Sequence, residues 1–595
     1  MRFRVWAPAV DSAGSVRVRI RTPDGESDHP MSSEDDDHPA AEPTPGWWSA
    51  SVSDAAPGTD YAFLLGDDDT PLPDPRSPWQ PEGVHGFSRV YADDAFAWTD
   101  DAWTGRALPG AVVYELHVGT FSASGTFDGV AEHLDHLAGL GIDAVELLPV
   151  NAFNGTHNWG YDGVDWYAVQ ESYGGPDGLK RLVDACHGRG IAVFLDVVYN
   201  HLGPSGNYLD RFGPYLARGT NTWGQNLNLD GNGSDVVRRH IIDNALRWLR
   251  DFHVDGLRVD AVHALPDSRA IHLLEEMATE VDALSTFLGR PLTLIAESDL
   301  NDPRLVTERT AGGYGLTAQW SDDFHHALHT VLTGERQGYY ADFGSLETLA
   351  QTLRSAFFHA DTWSSFRGRR HGRPVDTGRT PGFRFLGYVQ NHDQIGNRAL
   401  GDRISTGLSP GLLKVGAALV LCSPFTPMLF MGEEWAARTP WQFFSSHPEA
   451  ELAAAVGAGR VAEFAEHGWD ADDVPDPQDE ETFRRSKLDW TEPASEQGAD
   501  MLAFYRQLIA LRHRLPDLTD PRLREVQVAW SDDDRWLVLV RGSTAVAVNL
   551  AGERQGVAVP GTPARIELAS SPGFSYRPGE VLLDGESVAV LSLAV

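Results

Sequence analysis

Short apolar runs alternate with amphipathic segments through the middle of the chain. Eight runs between residues 112 and 434 have the length and composition of buried strands: VVYELHV, AVELLPV, IAVFLDVVYN, DGLRVDAV, LTLIAES, LTAQWSD, FLGYVQNHD and MLFMGEE. One segment between them places its apolar residues on a single helical face, and Ser234 is its expected N-cap. Eight strands that alternate with helices predict a (β/α)8 TIM barrel. At roughly 320 residues this region exceeds the usual barrel of about 250, so long loops after the strands are expected.

The two ends of the chain follow a different pattern. Near the N-terminus Val16, Val18 and Ile20 alternate with arginines, and beyond residue 520 Trp536 and Val538 begin a similar alternation. Strict alternation is typical of strands with one buried face. We therefore predict a multidomain protein, with an N-terminal immunoglobulin-like β-sandwich over 1–95, the barrel with its βα-loop insertions over 96–515, and a C-terminal β-sheet domain over 516–595.

The composition and net charge of the chain exclude some classes of binding partner. The chain has 595 residues and a net charge of −37, and such a surface repels nucleic acid and anionic membranes. Cys186 and Cys422 lie alone in apolar segments, so both are expected to be reduced core residues. The N-terminus has no basic region followed by an apolar run, and no stretch approaches a membrane span. These features predict a cytoplasmic protein with no nucleic-acid or membrane partner.

Carboxylates follow several of the predicted barrel strands. Asp196, Asp260, Glu297 and Asp393 end the third, fourth, fifth and seventh runs. A barrel of this kind carries its active site at the carboxyl ends of its strands. A carboxylate buried there is costly unless it is paired or functional. The sequence therefore predicts an acidic active site at this rim.

The fourth run carries an arginine two residues before its carboxylate. Alternation along DGLRVDAVH puts Arg258 and Asp260 on the same face of the strand. The arginine would orient an ionised aspartate, as a glycosidic nucleophile requires. A structural ion pair in the barrel mouth is the alternative interpretation of the same pattern.

Glu297 ends an otherwise apolar strand, LTLIAE. Apolar surroundings raise the pKa of a carboxyl group, which suits a general acid. The alternative is that Glu297 caps the following helix. His201, His263 and His392 follow the third, fourth and seventh strands, where they either donate hydrogen bonds to sugar hydroxyls or have structural roles.

Aromatic residues in polar segments predict a surface that binds sugar rings. Trp159, Tyr161 and Trp223 lie in HNWGYDG and NTWGQN, where a platform for sugar stacking is the favoured interpretation. No zinc-type spacing occurs, and the calcium-like DGNGSD at 230 has Ile241 where an acidic ligand is needed. No phosphate-binding loop occurs either. We therefore predict no metal and no cofactor.

Four short motifs together resemble the α-amylase superfamily, glycoside hydrolase family 13. They are DVVYNH at 196–201, GLRVDAVH at 256–263, IAESD at 295–299 and QNHD at 390–393. The resemblance implies that Asp260 is the nucleophile, Glu297 the acid/base and Asp393 the residue that binds and distorts the sugar ring. It places four residues around the cleaved sugar: Arg258, His201, His392 and Tyr161. Asp196 is expected to be a structural carboxylate beside them.

Longer segments, among them HNWGYDGV and QNHDQIGNRALGDR, resemble one subgroup of this superfamily over nearly the whole chain. The resemblance implies hydrolysis of the α-1,4 bond next to the terminal trehalose of maltooligosyl trehalose. Tyr340, Phe366 and Arg367 are the candidates for holding the trehalose end, and a surface role is the alternative for the tyrosine and the arginine. It also implies metabolic coupling to a maltooligosyltrehalose synthase. The N-terminal segment FRVWAPA resembles a carbohydrate-binding-module-like sandwich shared with branching and debranching relatives. A glycogen branching or debranching enzyme and a non-catalytic glucan-binding barrel are the alternatives.

Overall fold

The computed structural model describes residues 1–10, 14–34, 45–465 and 474–594. Eight parallel strands in its middle form a closed barrel in which each strand pairs with the next and the last pairs with the first. They are β1 (Val113–Leu116), β2 (Ala144–Leu147), β3 (Ala192–Val197), β4 (Gly256–Val259), β5 (Thr293–Ala296), β6 (Ala318–Trp320), β7 (Phe385–Gly387) and β8 (Thr426–Phe430). Seven of them lie within one of the eight predicted runs, and β8 begins two residues before the run MLFMGEE, so the predicted TIM-barrel fold is confirmed.

The register of β3, β4 and β5 sets the height of the predicted carboxylates. Asp196 on β3 pairs with Arg258 on β4, and Val259 pairs with Ala296 on β5. The residues that follow this last pair, Asp260 and Glu297, therefore stand side by side at the carboxyl end of the barrel. Strand geometry alone brings them to one rim, as the positions of the motifs require.

Helices surround the barrel. The longer ones are Leu134–Leu140, Gly175–His187, Ser234–Asp251, Leu273–Leu288, Asp322–Thr333, Leu346–Ser355, Pro410–Leu421, Ala450–Ala465 and Glu496–Arg514. None of the helices in the described part of the chain combines the length and apolar character that a membrane span requires.

The predicted N-cap of the helix Ser234–Asp251 was wrong by one residue. Gly233 is the N-cap and has a φ of 76°, and no side chain caps the helix there. Glycine adopts this left-handed conformation without the steric cost that a side chain adds. The tight turn therefore determines where the helix begins, and Ser234 is its first residue.

Antiparallel sheets lie at both ends of the chain. The N-terminal strands are Arg2–Trp6, Trp47–Ser51 and Ser32–Ser33 in one sheet, and Gly25–Pro30, Val16–Thr22, Asp60–Leu65 and Ser88–Arg89 in another. The C-terminal strands are Gln527–Ser531, Trp536–Arg541, Thr544–Asn549, Ser587–Leu593 and Pro563–Ala569 in one sheet, and Gln555–Ala558, Glu580–Leu583 and Ser575–Arg577 in another. The domain boundaries near residues 95 and 515 stay predictions.

Candidate active site

A cleft of about 610 Å³ opens at the carboxyl end of the barrel. Most of the residues singled out in the sequence line it: Tyr161, His201, Trp223, Asp260, His263, Glu297, Phe366, Arg367, His392 and Asp393. Arg258 is buried and contacts the lining carboxylates from within the barrel. Tyr340 is not part of the lining. The structure thus gathers three predicted carboxylates, from strands far apart in sequence, around one cleft.

Both oxygens of Asp260 have a fixed partner. Arg258 donates from Nη1 to Oδ1 over 2.7 Å, and Asn200 donates from Nδ2 to Oδ2 over 2.7 Å. The same Nη1 of Arg258 donates to Asp196 over 2.6 Å. Burial alone would lower the pKa of Arg258, but Asp196, Tyr161 and Asp260 together raise it well above the usual range. A permanent cation therefore orients Asp260, as charge-assisted hydrogen bonds do best.

Glu297 lies beside Asp260 and is bound by the backbone that follows it. The backbone N–H of Ala261, one residue after Asp260, donates to Oε2 of Glu297 over 2.7 Å. Burial raises the pKa of Glu297 well above its usual range; Arg258 opposes this shift, and the negative charge of Asp260 adds to it. A carboxyl group with a raised pKa keeps its proton to higher pH than an ordinary glutamate does and can donate it to a leaving group.

Ala261 has a φ of 40°, in the left-handed region that residues with a side chain rarely adopt. This conformation turns its N–H towards Glu297 directly after the strand that carries Asp260. Backbone strain of this kind persists where the surrounding structure holds it, and it is common in active sites. Ala261 follows Asp260 in the chain and hydrogen-bonds Glu297, so this one residue connects the two carboxylates.

His392 and Tyr161 form the base of the cleft beside Asp393. The Tyr161 hydroxyl donates to Asp196 over 2.6 Å and lies 2.8 Å from Nε2 of His392. Nδ1 of His392 is 2.5 Å from Glu115, a buried carboxylate on β1. Burial would lower the pKa of His392, but Glu115 more than offsets this and raises it. His392 is therefore set to donate from both ring nitrogens.

Asp393 differs from the other two carboxylates because its side chain is half-exposed. Asn397 donates to its Oδ1 over 3.2 Å, and Nε2 of His392 lies 3.9 Å from the same oxygen. The rest of the carboxylate faces the cleft and remains available to a ligand. This arrangement suits a residue that binds hydroxyl groups.

One wall of the cleft consists of three aromatic side chains, those of Trp223, His201 and His263. The exposed Trp223 stacks on His201 with 5.9 Å between ring centroids, and its edge contacts His263 at 6.2 Å. His201 is held by Asn200 and by the carbonyl of Tyr161. The outer face of Trp223 can therefore stack on a sugar ring.

The opposite wall contains the residues proposed for the trehalose end. Phe366 is 56% exposed, and Arg367 donates to Asp299 over 2.6 Å at the cleft surface. Tyr340 is only 5% exposed and stacks on His329 at 4.7 Å, whereas its neighbour Tyr339 lines the cleft. A short 3-10 helix, Gly338–Tyr340, turns the two neighbouring side chains in different directions.

Several residues that line or support the cleft were not predicted from the sequence. Glu115 is a lone carboxylate within an apolar strand, a signal that was present but not used. Asp322 lines the cleft directly after β6, where Tyr388 donates to it over 2.5 Å, and burial raises its pKa to about 7. Asn200 lies inside the DVVYNH motif, yet nothing in the sequence distinguished its amide from that of a structural asparagine.

No group of three or more His, Cys, Asp or Glu side chains within the described ranges could hold a metal ion. Asn200, which follows β3, uses both ends of its amide within the site: Nδ2 contacts Asp260, and Oδ1 contacts His201. The arrangement of the cleft is thus one of paired carboxylates, a fixed arginine and aromatic walls.

Comparisons with known proteins agree with this geometry. The family model described as "Alpha amylase, catalytic domain" matches residues 89–223. The malto-oligosyltrehalose trehalohydrolase of Arthrobacter ramosus is 57% identical over 603 residues, which covers 100% of this chain and 99% of that protein. The protein of that name from Mycobacterium tuberculosis H37Rv is 56% identical over 94% of each chain.

A crystal structure described as a putative α-amylase from Salmonella typhimurium superposes with a TM-score of 0.88. It is 37% identical, and the match covers 99% of this chain and 97% of that one. The match includes the terminal sheets as well as the barrel. The chain therefore belongs to the malto-oligosyltrehalose trehalohydrolase family of α-amylase-type enzymes.

Proposed function

We propose that this chain hydrolyses the α-1,4-glucosidic bond next to the terminal trehalose of maltooligosyl trehalose, releasing trehalose and a maltooligosaccharide. The observation that carries the proposal is the pair of neighbouring carboxylates: Asp260 is oriented by Arg258, and Glu297 has a raised pKa. Relatives named for this activity, at 56–57% identity over nearly the full length, support the choice of substrate.

The reaction proceeds in two displacements. Asp260 attacks the anomeric carbon, and Glu297 gives its proton to the glycosidic oxygen, so that trehalose departs and the remaining glucan is bound covalently to Asp260. Glu297, now ionised, removes a proton from water, and the resulting oxygen nucleophile displaces Asp260. The product is a maltooligosaccharide with the α configuration, and both carboxylates return to their starting states.

The residues around these two carboxylates bind the cleaved sugar. Asp393 accepts hydrogen bonds from ring hydroxyls, and His392 is positioned by Glu115 to donate. Tyr161 offers a ring face, and its hydroxyl is already committed to Asp196. These contacts hold the sugar between nucleophile and acid, where orientation contributes a large part of the rate.

Product analysis tests the proposal. The protein is incubated with maltooligosyl trehalose and, separately, with a plain maltooligosaccharide of equal length, and the products are separated and identified. Free trehalose from the first substrate and little turnover of the second are expected. New branch points would instead indicate a branching activity, and hydrolysis of the plain oligosaccharide at a similar rate would indicate a general α-1,4-glucan hydrolase; either result would overturn the proposal.

The stereochemical outcome tests the mechanism separately. Double displacement predicts that the maltooligosaccharide appears first as its α-anomer, which fast proton NMR can detect before mutarotation. Trehalose is non-reducing and gives no such signal. A β-anomer as the first product would exclude Asp260 as a covalent nucleophile while leaving the substrate assignment intact.

We also propose a cytoplasmic location and coupling to a maltooligosyltrehalose synthase, which would form the substrate from a linear glucan. The negative net charge of −37 suits work on a neutral oligosaccharide. A mixture of this protein with such a synthase should convert maltooligosaccharide to trehalose, whereas neither protein alone should. Trehalose formation by this protein alone would remove the need for the synthase.

A further inference from the structure

The chain after β7 forms a turn over residues 392–398, called here the Asp393 turn. It begins with the short helix His392–Gly396 and brings three side chains to the cleft: Asp393, Gln394 and Asn397. Asn397 donates to Asp393 within the turn. Because Asp393 is half-exposed and has few partners, the backbone of this turn largely determines where its carboxylate lies.

A buried arginine from a distant helix contacts that backbone. Arg460, on the helix Ala450–Ala465, donates from Nη2 to the carbonyl of Gly396 over 2.6 Å and lies 3.4 Å from that of Arg398. Its guanidinium packs over Phe443 and Phe464, at 5.2 and 4.5 Å from the ring centroids. Only 8% of Arg460 is exposed, although the residue borders the cleft.

Gly396 is enclosed by aromatic rings as well. A Cβ added to this glycine would meet the ring of Trp159 at 2.0 Å, and Trp159 itself stacks on Trp441. The turn at Gly396 is thus packed against an immobile ring and bonded to Arg460. Close backbone approach explains why glycine occupies this position.

The inner end of the turn is anchored independently. The side chain of Arg398 forms two hydrogen bonds with Glu335, of 2.9 and 3.0 Å, and another of 2.9 Å with Asp402. The hydrogen bond from His329, followed by those from Arg398, lowers the pKa of Glu335 to about 2, so this anchor is ionic. The carbonyl of Arg398 accepts a hydrogen bond of 3.1 Å from the backbone N–H of Gly401, so the carbonyl of Gly396 is the main acceptor for Arg460 in this turn.

We propose that Arg460 is a positioning residue for Asp393, holding the Asp393 turn at the height from which its carboxylate reaches the cleaved sugar. A buried guanidinium whose bonds to this turn end on carbonyl oxygens loses hydration without gaining a full ion pair there. Its half-exposed partner Glu463 lies 3.2 Å away and restores only part of that loss. The free-energy cost of burying the Arg460 guanidinium is accounted for if this side chain fixes the position of the Asp393 turn. This inference rests on the proposed function.

The experiment compares two buried arginines that both donate to backbone carbonyls. Arg512 contacts the carbonyls of Leu421, Ser423 and Phe425 at the start of β8, at the end of the barrel remote from the cleft. R460M, R460K and R512M are purified, and kcat, KM and Tm are measured with maltooligosyl trehalose. R460M should lose about 10- to 100-fold in kcat/KM, the scale of a small misplacement of reacting groups. R460K should recover part of that loss, and R512M should lower Tm alone.

A double variant tests whether the effect passes through Asp393. With α-maltosyl fluoride, whose leaving group needs little assistance, D393N and R460M/D393N are compared. If Arg460 acts by placing Asp393, adding R460M to D393N should cost no more than about twofold, because coupled residues are not additive. Multiplicative losses, or an R460M variant with lowered Tm but unchanged kcat and KM, would overturn the inference. If the wild-type protein releases no trehalose, the proposed function fails instead.

Discussion

The rim formed by β3, β4 and β5 differs from the loop wall that faces it. At the rim, Arg258 is buried and hydrogen-bonds the carboxylates of Asp196 and Asp260, whose places follow from strand register. On the loop wall, Phe366 and Tyr339 stand on connections after β6, exposed to the cleft. Rigid strand ends place reacting atoms, whereas loops supply surface that recognises a substrate. The proposed function thus assigns the chemistry to the rim and the recognition of substrate to the loop wall.

The two regions also differ in what a substitution removes. A change at the rim leaves buried charges without partners and alters groups that touch the reacting atoms. A change on the loop wall removes contact area that is in water until substrate binds. We therefore expect rim variants to lower kcat and loop variants to raise KM, with the rim effects much larger.

The largest effect is expected for Asp260→Asn. Asparagine has nearly the same shape, and its amide oxygen can still accept from Arg258, although its amide nitrogen cannot accept from Asn200 as Oδ2 does; above all, it cannot form the glycosyl-enzyme. Turnover should fall by roughly four orders of magnitude or more with little change in Tm. Steady-state kinetics and thermal unfolding measure both. A variant that keeps near-normal turnover would remove Asp260 from the reaction.

Glu297→Gln should have a severe but substrate-dependent effect. Loss of general acid catalysis typically costs about 10²- to 10⁴-fold, and only where the leaving group needs a proton. Maltooligosyl trehalose should therefore be hydrolysed very slowly, while α-maltosyl fluoride should still form the glycosyl-enzyme rapidly. The ratio of single-turnover rates for the two substrates is the measurement. Equal losses with both substrates would mean that Glu297 is not the acid.

The pH profile offers a third test at the rim. Glu297 must be protonated to act, and burial raises its pKa well above the usual range. Activity should therefore extend to higher pH than an ordinary glutamate would allow, and it should fall by about tenfold per pH unit above the raised pKa. The alkaline limb of kcat/KM should disappear in Glu297→Gln, because glutamine does not titrate. An alkaline limb that is unchanged in that variant would belong to another group.

The contrast between rim and loop also explains what could be predicted from the sequence. Short apolar runs identified all eight strands, and alternation put Arg258 and Asp260 on one face, since both patterns are local and regular. The family resemblance selected Tyr340 for the loop after β6, but a single 3-10 turn buries that ring and exposes Tyr339. Arg460 was not foreseen, because its role arises from packing between a helix and a turn that are far apart in sequence.

Two neighbouring tyrosines, Tyr339 and Tyr340, test whether the loop wall contacts the substrate. Tyr339 lines the cleft and donates to Gln394 over 3.3 Å, while Tyr340 is buried against His329. Tyr339→Ala should raise KM for maltooligosyl trehalose by about tenfold, as expected for a lost contact of roughly 1.4 kcal/mol. Tyr340→Phe, the matched control, keeps the buried ring and should leave KM unchanged. A larger change in KM for Tyr340→Phe would restore the original prediction that Tyr340 contacts substrate.

Removal of metal ions should have the smallest effect of all, and the reason lies at the rim. A cation near the end of β3 would need the amide oxygen of Asn200, but that oxygen contacts His201, and the amide nitrogen contacts Asp260. Calcium requires six to eight oxygen ligands, and paired carboxylates suffice for glycoside hydrolysis without an ion. Exhaustive dialysis against a chelator should leave both kcat and Tm within experimental error of the untreated protein. Loss of activity that calcium restores would require the Asn200 amide to turn away from Asp260, and it would make the rim depend on an ion as well as on strand register.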